Sequence, residues 1–309
     1  MKCKCGKKSV IFRRYEGFHL CKDCFCKSIE KKVKRNVRQN NMIESGDKIA
    51  FGLSGGKDSS VVLHIIHKIL KPRRDVEFFA FTIDEGIKGY RDDSIKIAKR
   101  LCKKMGIKHY IYTYKDHLGK TLDAKMKEIK KKPEMLQTAC SYCGVARRYM
   151  LNKIARELKA TKLCVGHNLD DETQSIMMNY VRGDMSKASR MGAITNYSIE
   201  KSKGSFIPRI KPLRDVPEKE IGLYAVLNGL DVQEDECPYA SGIRFEVRDF
   251  LNNMETRHPG TKFSILETFD RMLPLVRNHV EKKNIDIRLC KKCREPSSQE
   301  VCKLCDMWS

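Results

Sequence analysis

Short apolar runs alternate with amphipathic helical patterns through the middle of the chain. The apolar runs predict four strands, at Lys48–Leu53, Val76–Ile83, Lys108–Tyr114 and Lys162–Gly166. The patterns between them predict three helices, at Asp58–Leu70, Arg91–Met105 and about Gly144–Leu158. Beyond Asp170 the pattern is mostly helical. Strands that alternate with helices of this length predict an α/β protein with right-handed crossovers and a parallel, doubly wound sheet. Ligands of such sheets bind at the carboxyl ends of the strands.

Cysteine-rich segments flank this central region and divide the chain into three predicted parts. Residues 1–28 form an N-terminal zinc-binding module, 29–285 the catalytic domain and 286–309 a C-terminal zinc ribbon. A basic segment, Lys27–Arg38, leads into the catalytic domain.

The composition points to a polyanionic partner. Among 309 residues, 62 Lys and Arg stand against 39 Asp and Glu, a formal net charge of +23, and nucleic acid is the expected partner of so basic a protein. A lysine-rich, heat-adapted surface is the alternative, but such surfaces use Glu and Lys together. The polar N-terminus does not resemble a secretory signal, and no apolar run approaches the roughly 18–20 residues that span a bilayer. We therefore expect a cytoplasmic protein without a membrane partner.

A glycine-rich loop follows the first predicted strand and opens the first helix. It reads Ser54-Gly55-Gly56-Lys57-Asp58-Ser59. The glycines let the backbone approach a phosphate, and the helix N-terminus offers unpaired N–H groups and a positive dipole end. The loop differs from a Walker A motif, because GxxxxGK[ST] is absent. With Gly52 and Leu53 before it, the loop is the predicted binding site for the phosphates of a nucleotide.

Two further strands should end at the same edge of the sheet. The second ends at Thr82-Ile83-Asp84-Glu85-Gly86. The fourth ends at Gly166, which permits close approach to a nucleotide, and Asp170 and Asp171 follow at a helix start. Paired carboxylates there can hold a metal ion or a proton, or simply cap the helix.

Fourteen cysteines are many for a reducing compartment, and their clustering indicates metal. Tetrahedral Zn²⁺ accepts four thiolates, and two sets have suitable spacing. The predicted zinc ligands are Cys3, Cys5, Cys21 and Cys24 at one end and Cys290, Cys293, Cys302 and Cys305 at the other. The first pair is one residue shorter than CxxC, so Cys26 is an alternative ligand.

Three further cysteines belong to the catalytic domain. Cys140 and Cys143 precede a helix, and Cys237 lies in a turn-like Cys-Pro-Tyr segment. Three thiolates leave one position open on a metal or cluster, which suits chemistry; a redox CxxC pair or a third zinc site completed by histidine are the alternatives. Cys102 and Cys164 are expected to be buried apolar residues.

Taken together, these motifs resemble those of the tRNA 2-thiolation enzymes with two zinc fingers. That group contains archaeal and eukaryotic wobble-uridine thiolases and the bacterial T-loop ribothymidine thiolase. The resemblance covers nearly the whole chain and rests on SGGKDS at 54–59, CSYCG at 140–144, GHNLDDE at 166–172, RGD at 182–184, SRMG at 189–192, PRIKPLR at 208–214 and ECPY at 236–239.

The resemblance implies a PP-loop fold, similar to adenine nucleotide alpha hydrolases, that splits ATP into AMP and pyrophosphate. It assigns Asp58 to activity with Mg²⁺, the backbone near Ile83 to adenine, and Arg147 to nucleotide binding, where bacterial T-loop enzymes carry lysine. Asp171 is added to the catalytic residues. It further implies that Cys140, Cys143 and Cys237 hold a [4Fe–4S] cluster with one iron free of protein ligand.

The implied reaction is 2-thiouridine synthesis on tRNA. The C2 oxygen of uridine attacks the α-phosphorus of ATP, and sulfide, a persulfide or a ubiquitin-like thiocarboxylate protein then supplies the sulfur.

Lys27–Arg38 and Lys125–Lys132 would contact tRNA phosphates, although each run is also typical of a solvated helix face. Dimeric relatives allow a homodimer. The wobble uridine is the first choice of target and the T-loop ribothymidine the alternative. Three other hypotheses remain open. The protein could synthesise lysidine, thiolate cytidine, or bind RNA through its zinc ribbons without enzymatic activity.

Overall fold

The architecture was obtained as a computed structural model, which describes residues 1–131, 138–195, 205–281 and 287–308. Within these residues, five parallel strands form the central sheet in the order β5-β4-β3-β6-β7. Their bounds are Lys48–Gly52 (β3), Glu77–Asp84 (β4), His109–Thr113 (β5), Lys162–Cys164 (β6) and Arg209–Ile210 (β7). The predicted parallel, doubly wound sheet is confirmed.

Helices cover both faces of this sheet and extend beyond it. They span Lys22–Gln39 (α1), Lys57–Leu70 (α2), Arg91–Met105 (α3), Tyr114–Leu118 (α4), Leu122–Lys130 (α5), Ala139–Glu157 (α6), Leu169–Val181 (α7), Met185–Ser189 (α8), Glu218–Leu227 (α9), Ile243–Arg257 (α10), Thr261–Glu281 (α11) and Lys303–Trp308 (α12).

Alternate residues of β3 face opposite sides of the sheet, as the period of a strand requires. Ile49 and Phe51 pack into a core with α1, α2 and α9, whereas Ala50 packs with α6 and the C-terminal residues. A smaller apolar cluster joins α7, α8 and α11. Cys102 and Cys164 are buried apolar residues, as expected.

Two features of the domain differ from the sequence prediction. The strand β7, Arg209–Ile210, was not predicted, because two residues are too few to display the alternation that identifies a strand. Helix α6 begins at Ala139 rather than near Gly144, so Cys140 and Cys143 lie in its first turns instead of before it. The glycine in the predicted start is an interior helical residue, which costs about 1 kcal/mol relative to alanine but does not end a helix.

The cysteine-rich ends each contain a two-stranded antiparallel hairpin. In the first, Ile11–Arg13 (β1) pairs with Phe18–Leu20 (β2); in the second, Arg288–Leu289 (β8) pairs with Pro296–Ser297 (β9). Helix α1 starts inside the N-terminal module and continues into the main core, where Phe25, Ile29 and Val33 are fully buried. The proposed boundary at residue 28 therefore lies within a continuous helix. No helix in the described parts of the chain is long and apolar enough to cross a membrane.

A buried ion pair fixes the N-terminal hairpin to the domain. The guanidinium of Arg13, at the end of β1, donates to both carboxylate oxygens of Glu220 on α9 at 2.9 and 2.8 Å. The hydroxyl of Tyr15 donates to the same carboxylate at 2.6 Å. Arg13 and Glu220 are almost completely buried, so each depends on the other for compensation of its desolvation.

Replacement of Glu220 by alanine should therefore be strongly destabilising. Glu220→Ala leaves the buried Arg13 guanidinium with Glu16 as its one remaining carboxylate and removes the acceptor of the Tyr15 hydroxyl. We therefore expect a loss of up to about 3–5 kcal/mol in the free energy of unfolding, measured by urea denaturation of the zinc-loaded protein. As a control, Lys96→Ala removes an exposed pair with Asp93 on α3 and should cost less than about 1 kcal/mol. Equal effects of the two substitutions would contradict the assignment.

Candidate active site

The glycine-rich loop lies at the carboxyl edge of the sheet, between β3 and α2. Gly56 is the N-cap residue of α2, so Lys57 and Asp58 open the helix. The hydroxyl oxygens of Ser54 and Ser59 lie 3.0 Å apart, and the Ser59 hydroxyl accepts the backbone N–H of Ser54 at 3.1 Å. The loop is thereby closed on itself around the helix N-terminus, a geometry that suits an anion.

Two glycines permit contacts that a side chain would prevent. Gly55 has a φ of +86°, and a Cβ there would lie 2.2 Å from the carbonyl oxygen of Ser94. A Cβ on Gly166, after β6, would lie 2.7 Å from the carbonyl carbon of Asp58. The turn after β6 therefore passes directly against the start of α2, which brings the two predicted motifs together.

Asp58 and Asp171 meet at this contact. Asn168 donates to the Asp58 carboxylate at 2.9 Å, and Asn168 and Asp171 form a reciprocal capping box at the start of α7. Burial raises the pKa of Asp58 to about 6; the charge of Lys57 opposes this rise, while the nearby Asp171 adds to it. A cation between the two carboxylates would relieve both the burial and the repulsion, so the pair fits Mg²⁺.

The lysine of the loop has carboxylate partners on two elements. The Lys57 ammonium lies 2.6 Å from Glu218, at the start of α9, and 3.4 Å from Asp58. It is therefore held between two carboxylates near the helix N-terminus. Asp170 has other partners: it accepts the backbone N–H of Glu218 at 2.8 Å and forms an ion pair with the buried Lys262.

The end of β4 is organised by Glu85, which is only 3% exposed. Its carboxylate pairs with Arg91 at 2.6 Å and with Arg147 at 2.8 Å. Arg91 in turn donates to the carbonyls of Ser54 at 3.0 Å and Ile83 at 2.7 Å. One carboxylate thus connects the glycine-rich loop, the strand end that carries Ile83 and helix α6.

Arg147 connects this network to the first sulfur. One turn after Cys143 on α6, its guanidinium donates to the Cys143 Sγ at 3.4 Å and to Glu85 at 3.0 Å, while the side chain is 52% exposed. The hydroxyl of Tyr114 donates to the Cys143 carbonyl at 3.1 Å. Arg147 therefore has one face fixed and one face available to a ligand.

The other two thiols adjoin Cys143. Cys140 is exposed, and its Sγ donates to the carbonyl of Tyr239 at 3.4 Å, which places the Cys-Pro-Tyr segment next to α6. Burial raises the pKa of Cys237, and the neighbouring Cys143 and Cys140 raise it further, which indicates that the three thiols share one electrostatic environment.

These three sulfurs are not as closely grouped as zinc ligands. In the described residues, the groups whose ligand atoms all lie within 4.8 Å of one another are the two terminal four-cysteine sets, and Cys140, Cys143 and Cys237 form no such group. A cluster of several iron atoms is larger than a single ion and needs wider spacing between its thiolates. The donor set of thiols alone, with Arg147 as a nearby hydrogen-bond donor, fits an iron–sulfur cluster.

Both terminal sets have the arrangement of tetrahedral metal sites. Four thiolates at about 2.3 Å from one zinc ion lie roughly 3.8 Å apart. Cys5 and Cys21 have sulfurs 3.5 Å apart, and Cys293 and Cys302 have sulfurs 3.6 Å apart. Cys26 lies outside the first set and instead accepts a hydrogen bond from Asn228. The shortened first pair is therefore compatible with the predicted ligands Cys3, Cys5, Cys21 and Cys24.

Backbone N–H groups favour the thiolate of one cysteine in each set, whereas hydrogen bonds with neighbouring thiols raise the pKa of Cys24 and burial raises that of Cys305. N–H groups of Cys5 and Cys21 lower the pKa of Cys3 to about 6. Burial raises the pKa of Cys290, but backbone N–H groups, first that of Cys302, outweigh it and bring the pKa to about 6. Because zinc binds thiolate rather than thiol, a lowered pKa favours metal binding.

The C-terminal module packs against the helix that carries the catalytic-domain cysteines. Trp308 on α12 donates to the carbonyl of Tyr142 at 3.3 Å, and its ring meets Tyr114 edge to face at 5.4 Å. Tyr142 lies between Cys140 and Cys143, so the zinc ribbon supports the turn of α6 from which both thiols project.

Sequence reasoning did not assign several residues that the structure places in the site. Glu85 and Asn168 stand inside recognised motifs, and a carboxylate or amide next to a strand end was the available signal. Arg91 and Glu218 carried no comparable signal, because their partners are 37 and 161 positions away in the chain. The sequence predicts that the motifs lie at one edge of the sheet, but it does not predict which side chains contact one another there.

The C-terminal module provides an optical probe of zinc binding, since Trp308 is the single tryptophan of the chain. Cys305→Ser removes one predicted zinc ligand and should release α12, so that Trp308 becomes exposed and its fluorescence emission moves to longer wavelength. Cys26→Ser, outside both sets, is the matched control and should keep the wild-type emission. Unchanged emission in Cys305→Ser would show that zinc does not hold the module in place.

Comparisons with known proteins agree with this geometry. The model of the PP-loop domain family matches residues 27–254. The tRNA 2-thiolation protein NcsA of Haloferax volcanii is 40% identical over 99% of this chain and 97% of its own length. The tRNA-5-methyluridine(54) 2-sulfurtransferase of Pyrococcus horikoshii is 32% identical over 100% of this chain and 94% of its own length.

A solved structure gives the same result for the fold. The U34-tRNA thiolase NcsA from Methanococcus maripaludis, determined with its [4Fe-4S] cluster, matches with a TM-score of 0.81 and 37% identity, over 99% of this chain and 95% of that one. The matched family model covers both the glycine-rich loop and the three catalytic-domain cysteines. This chain belongs to the PP-loop domain family.

Proposed function

We propose that the chain is a cytoplasmic tRNA 2-thiouridine synthetase that adenylates the C2 oxygen of uridine with ATP and then inserts sulfur. The observation that carries the proposal is the junction made by Glu85, which ties the phosphate-binding loop through Arg91 and the Cys143 thiol through Arg147. A site for splitting ATP and a site for sulfur therefore adjoin. The tRNA 2-thiolation names of the relatives support the same reaction.

The first half of the reaction uses the edge of the sheet. The C2 oxygen attacks the α-phosphorus, a bond forms from that oxygen to phosphorus, and pyrophosphate leaves. The backbone N–H groups at the start of α2, with Lys57 and the hydroxyls of Ser54 and Ser59, would hold the phosphates. Asp58 and Asp171 would hold Mg²⁺ on the pyrophosphate oxygens, and Gly52 to Ser59, Ile83 and Gly166 would line the nucleotide site.

The second half uses the three thiols. Cys140, Cys143 and Cys237 would hold the [4Fe–4S] cluster, which supplies an iron site able to bind sulfide. Sulfur attacks C2, the bond from C2 to the adenylated oxygen breaks, and AMP leaves with that oxygen. Arg147 would bind the nucleotide with its exposed face, while its other face donates to the Cys143 sulfur. With sulfide as the donor the step is complete. With a persulfide, a thiol reductant must then break the S–S bond, and with a ubiquitin-like thiocarboxylate protein, water must hydrolyse the acyl–sulfur bond. A homodimer is the proposed assembly.

We place the modification at the wobble uridine. The relatives named NcsA are 40% and 37% identical to this chain, and one of them is titled a U34-tRNA thiolase, whereas the methyluridine(54) sulfurtransferase is 32% identical. The T-loop position is the second candidate, because that last relative matches the whole chain.

The tRNA would be held by the exposed face of α1. Within its basic segment Lys27–Arg38, five cationic side chains project into solvent, whereas the opposite face of the helix is apolar and buried. They are Lys27, Lys31, Lys34, Arg35 and Arg38. The second predicted basic segment is less suitable than the sequence indicated, because Lys125 is 3% exposed and pairs with Glu128. Lys132, the last residue of that segment, lies outside the described residues.

The reaction is tested with the full-length protein and unmodified tRNA. After anaerobic reconstitution with iron and sulfide, addition of ATP, Mg²⁺, tRNA and sulfide should yield 2-thiouridine with one AMP and one pyrophosphate per product. Mass spectrometry of nuclease fragments locates the product at position 34 or 54. Lysidine, 2-thiocytidine or AMP without a thiolated base would contradict the proposal.

The role of the thiols is tested by substitution. Cys140→Ser should abolish the visible absorption of the cluster and the thiolated product, because one of three protein ligands is lost. It should keep the wild-type affinity for a nonhydrolysable ATP analogue, because other residues form the nucleotide site. Cys26→Ser should behave as wild type in all three measurements, and normal product formation by Cys140→Ser would refute the cluster assignment.

The α1 surface makes a separate prediction. The triple substitution Lys27, Lys31 and Lys34 to Gln should weaken tRNA binding for every sequence alike, and the slope of log affinity against log salt should fall by about 1 for each phosphate that the variant no longer neutralises. The matched control changes Lys96, Lys99 and Lys103, three exposed lysines of α3, to Gln. A similar loss of affinity in both variants, measured by filter binding over a salt series, would indicate a purely nonspecific effect of charge.

A further inference from the structure

The segment that carries Cys237 is attached at both ends to the nucleotide site. We call this segment, residues 233–244, the strap. At its first end, the backbone N–H of Gln233 donates to the Gly55 carbonyl at 3.0 Å, and Gln233 forms a parallel bridge with Gly56. The Gln233 side chain donates to the carbonyl of Tyr90 at 2.7 Å. The start of the strap thus runs along the phosphate-binding loop.

The second end of the strap reaches the other side of the same site. Arg244, in the first turn of α10, pairs with the Asp171 carboxylate at 2.6 Å and donates to Gln174 at 2.9 Å. The loop anchor and the Asp171 anchor belong to different strand ends, β3 and β6, which meet where Gly166 touches Asp58. The strap therefore spans the region that phosphates and their metal ion would occupy.

The middle of the strap lies against the sulfur site. The Tyr239 carbonyl accepts from the Cys140 Sγ at 3.4 Å, and the Tyr239 hydroxyl donates to Asp123 on α5 at 2.8 Å. Cys237 is two residues before this contact. Cys237 is four residues from the Gln233 end of the strap and seven from the Arg244 end, and Tyr239 connects the Arg244 side to Cys140 and α5.

From these contacts we infer that the strap couples nucleotide binding to the iron–sulfur site, with Arg244 as the positioning residue of Cys237. The inference rests on the proposed function, since it requires ATP at the loop and a cluster on the three cysteines. Phosphates at the loop compete with the Gln233 anchor, and a metal ion at Asp171 competes with Arg244. Either event alters the end of the strap and hence the direction in which Cys237 is held.

Coupling between two sites is reciprocal, which makes it measurable without turnover. The affinity for α,β-methylene-ATP with Mg²⁺ should differ between cluster-loaded and cluster-free full-length protein by roughly fivefold or more, in calorimetric titration. The same analogue should shift the EPR spectrum of the one-electron-reduced cluster.

We call the affinity of cluster-loaded protein for the analogue, divided by that of cluster-free protein, the affinity ratio. Arg244→Gln should bring this ratio close to 1 and abolish the EPR shift, while the cluster content stays normal. Arg244→Lys should restore part of both, since it keeps the charge but not the two-point contact with Asp171 and Gln174. Arg257→Gln, the same change at the other end of α10, is the matched control and should retain the wild-type ratio. Gln233→Ala tests the first anchor if Arg244→Gln does not fold, and should reduce the ratio in the same direction.

The outcomes separate this inference from the function on which it depends. If wild-type protein forms its cluster and thiolates tRNA but has an affinity ratio of 1, the coupling is refuted and the function stands. A wild-type ratio in both Arg244→Gln and Gln233→Ala refutes the strap as its route. If the chain binds no cluster under anaerobic reconstitution, both the coupling and the proposed function are refuted.

Discussion

A buried carboxylate between two arginines is the interaction on which the active site depends. Glu85 has lost nearly all its contact with water. Arg91 and Arg147 provide the opposite charge, and Arg147 also donates a hydrogen bond to the carboxylate. Removal of either arginine would leave the buried carboxylate with a single cationic partner. The glycine-rich loop and the Cys143 thiol are thus held through a common partner.

The two cysteine-rich ends serve the domain in different ways. The C-terminal ribbon presses Trp308 against Tyr114 and Tyr142, beside the turn of α6 that carries Cys140 and Cys143. The N-terminal module is attached through Arg13 and Glu220 to α9, whose first residue contacts Lys57. Each module therefore supports one half of the proposed chemistry, sulfur at one end of the chain and phosphate at the other.

The parts of the molecule that the sequence predicts are those with local signals. The four predicted strands are apolar runs of five to eight residues. The glycines at 55 and 166 indicated close approaches of the backbone, which a Cβ would block at 2.2 and 2.7 Å. The short strand at Arg209–Ile210 had no period to recognise. The inward orientation of Lys125 was hidden because a lysine in a charged helix is most often solvated. Arg244 and Glu218 depend on tertiary contacts, which no window of sequence contains.

Helix α1 connects the N-terminal four-cysteine set directly to the core of the main domain. Its first turn carries Cys24, and its next three turns supply Phe25, Ile29 and Val33 to the main core. A metal ion bound at this set would link its affinity to the folding free energy of the core, because Cys24 and the core residues belong to one helix. Excision of the first 28 residues would therefore remove the buried Phe25 from the core together with the four cysteines.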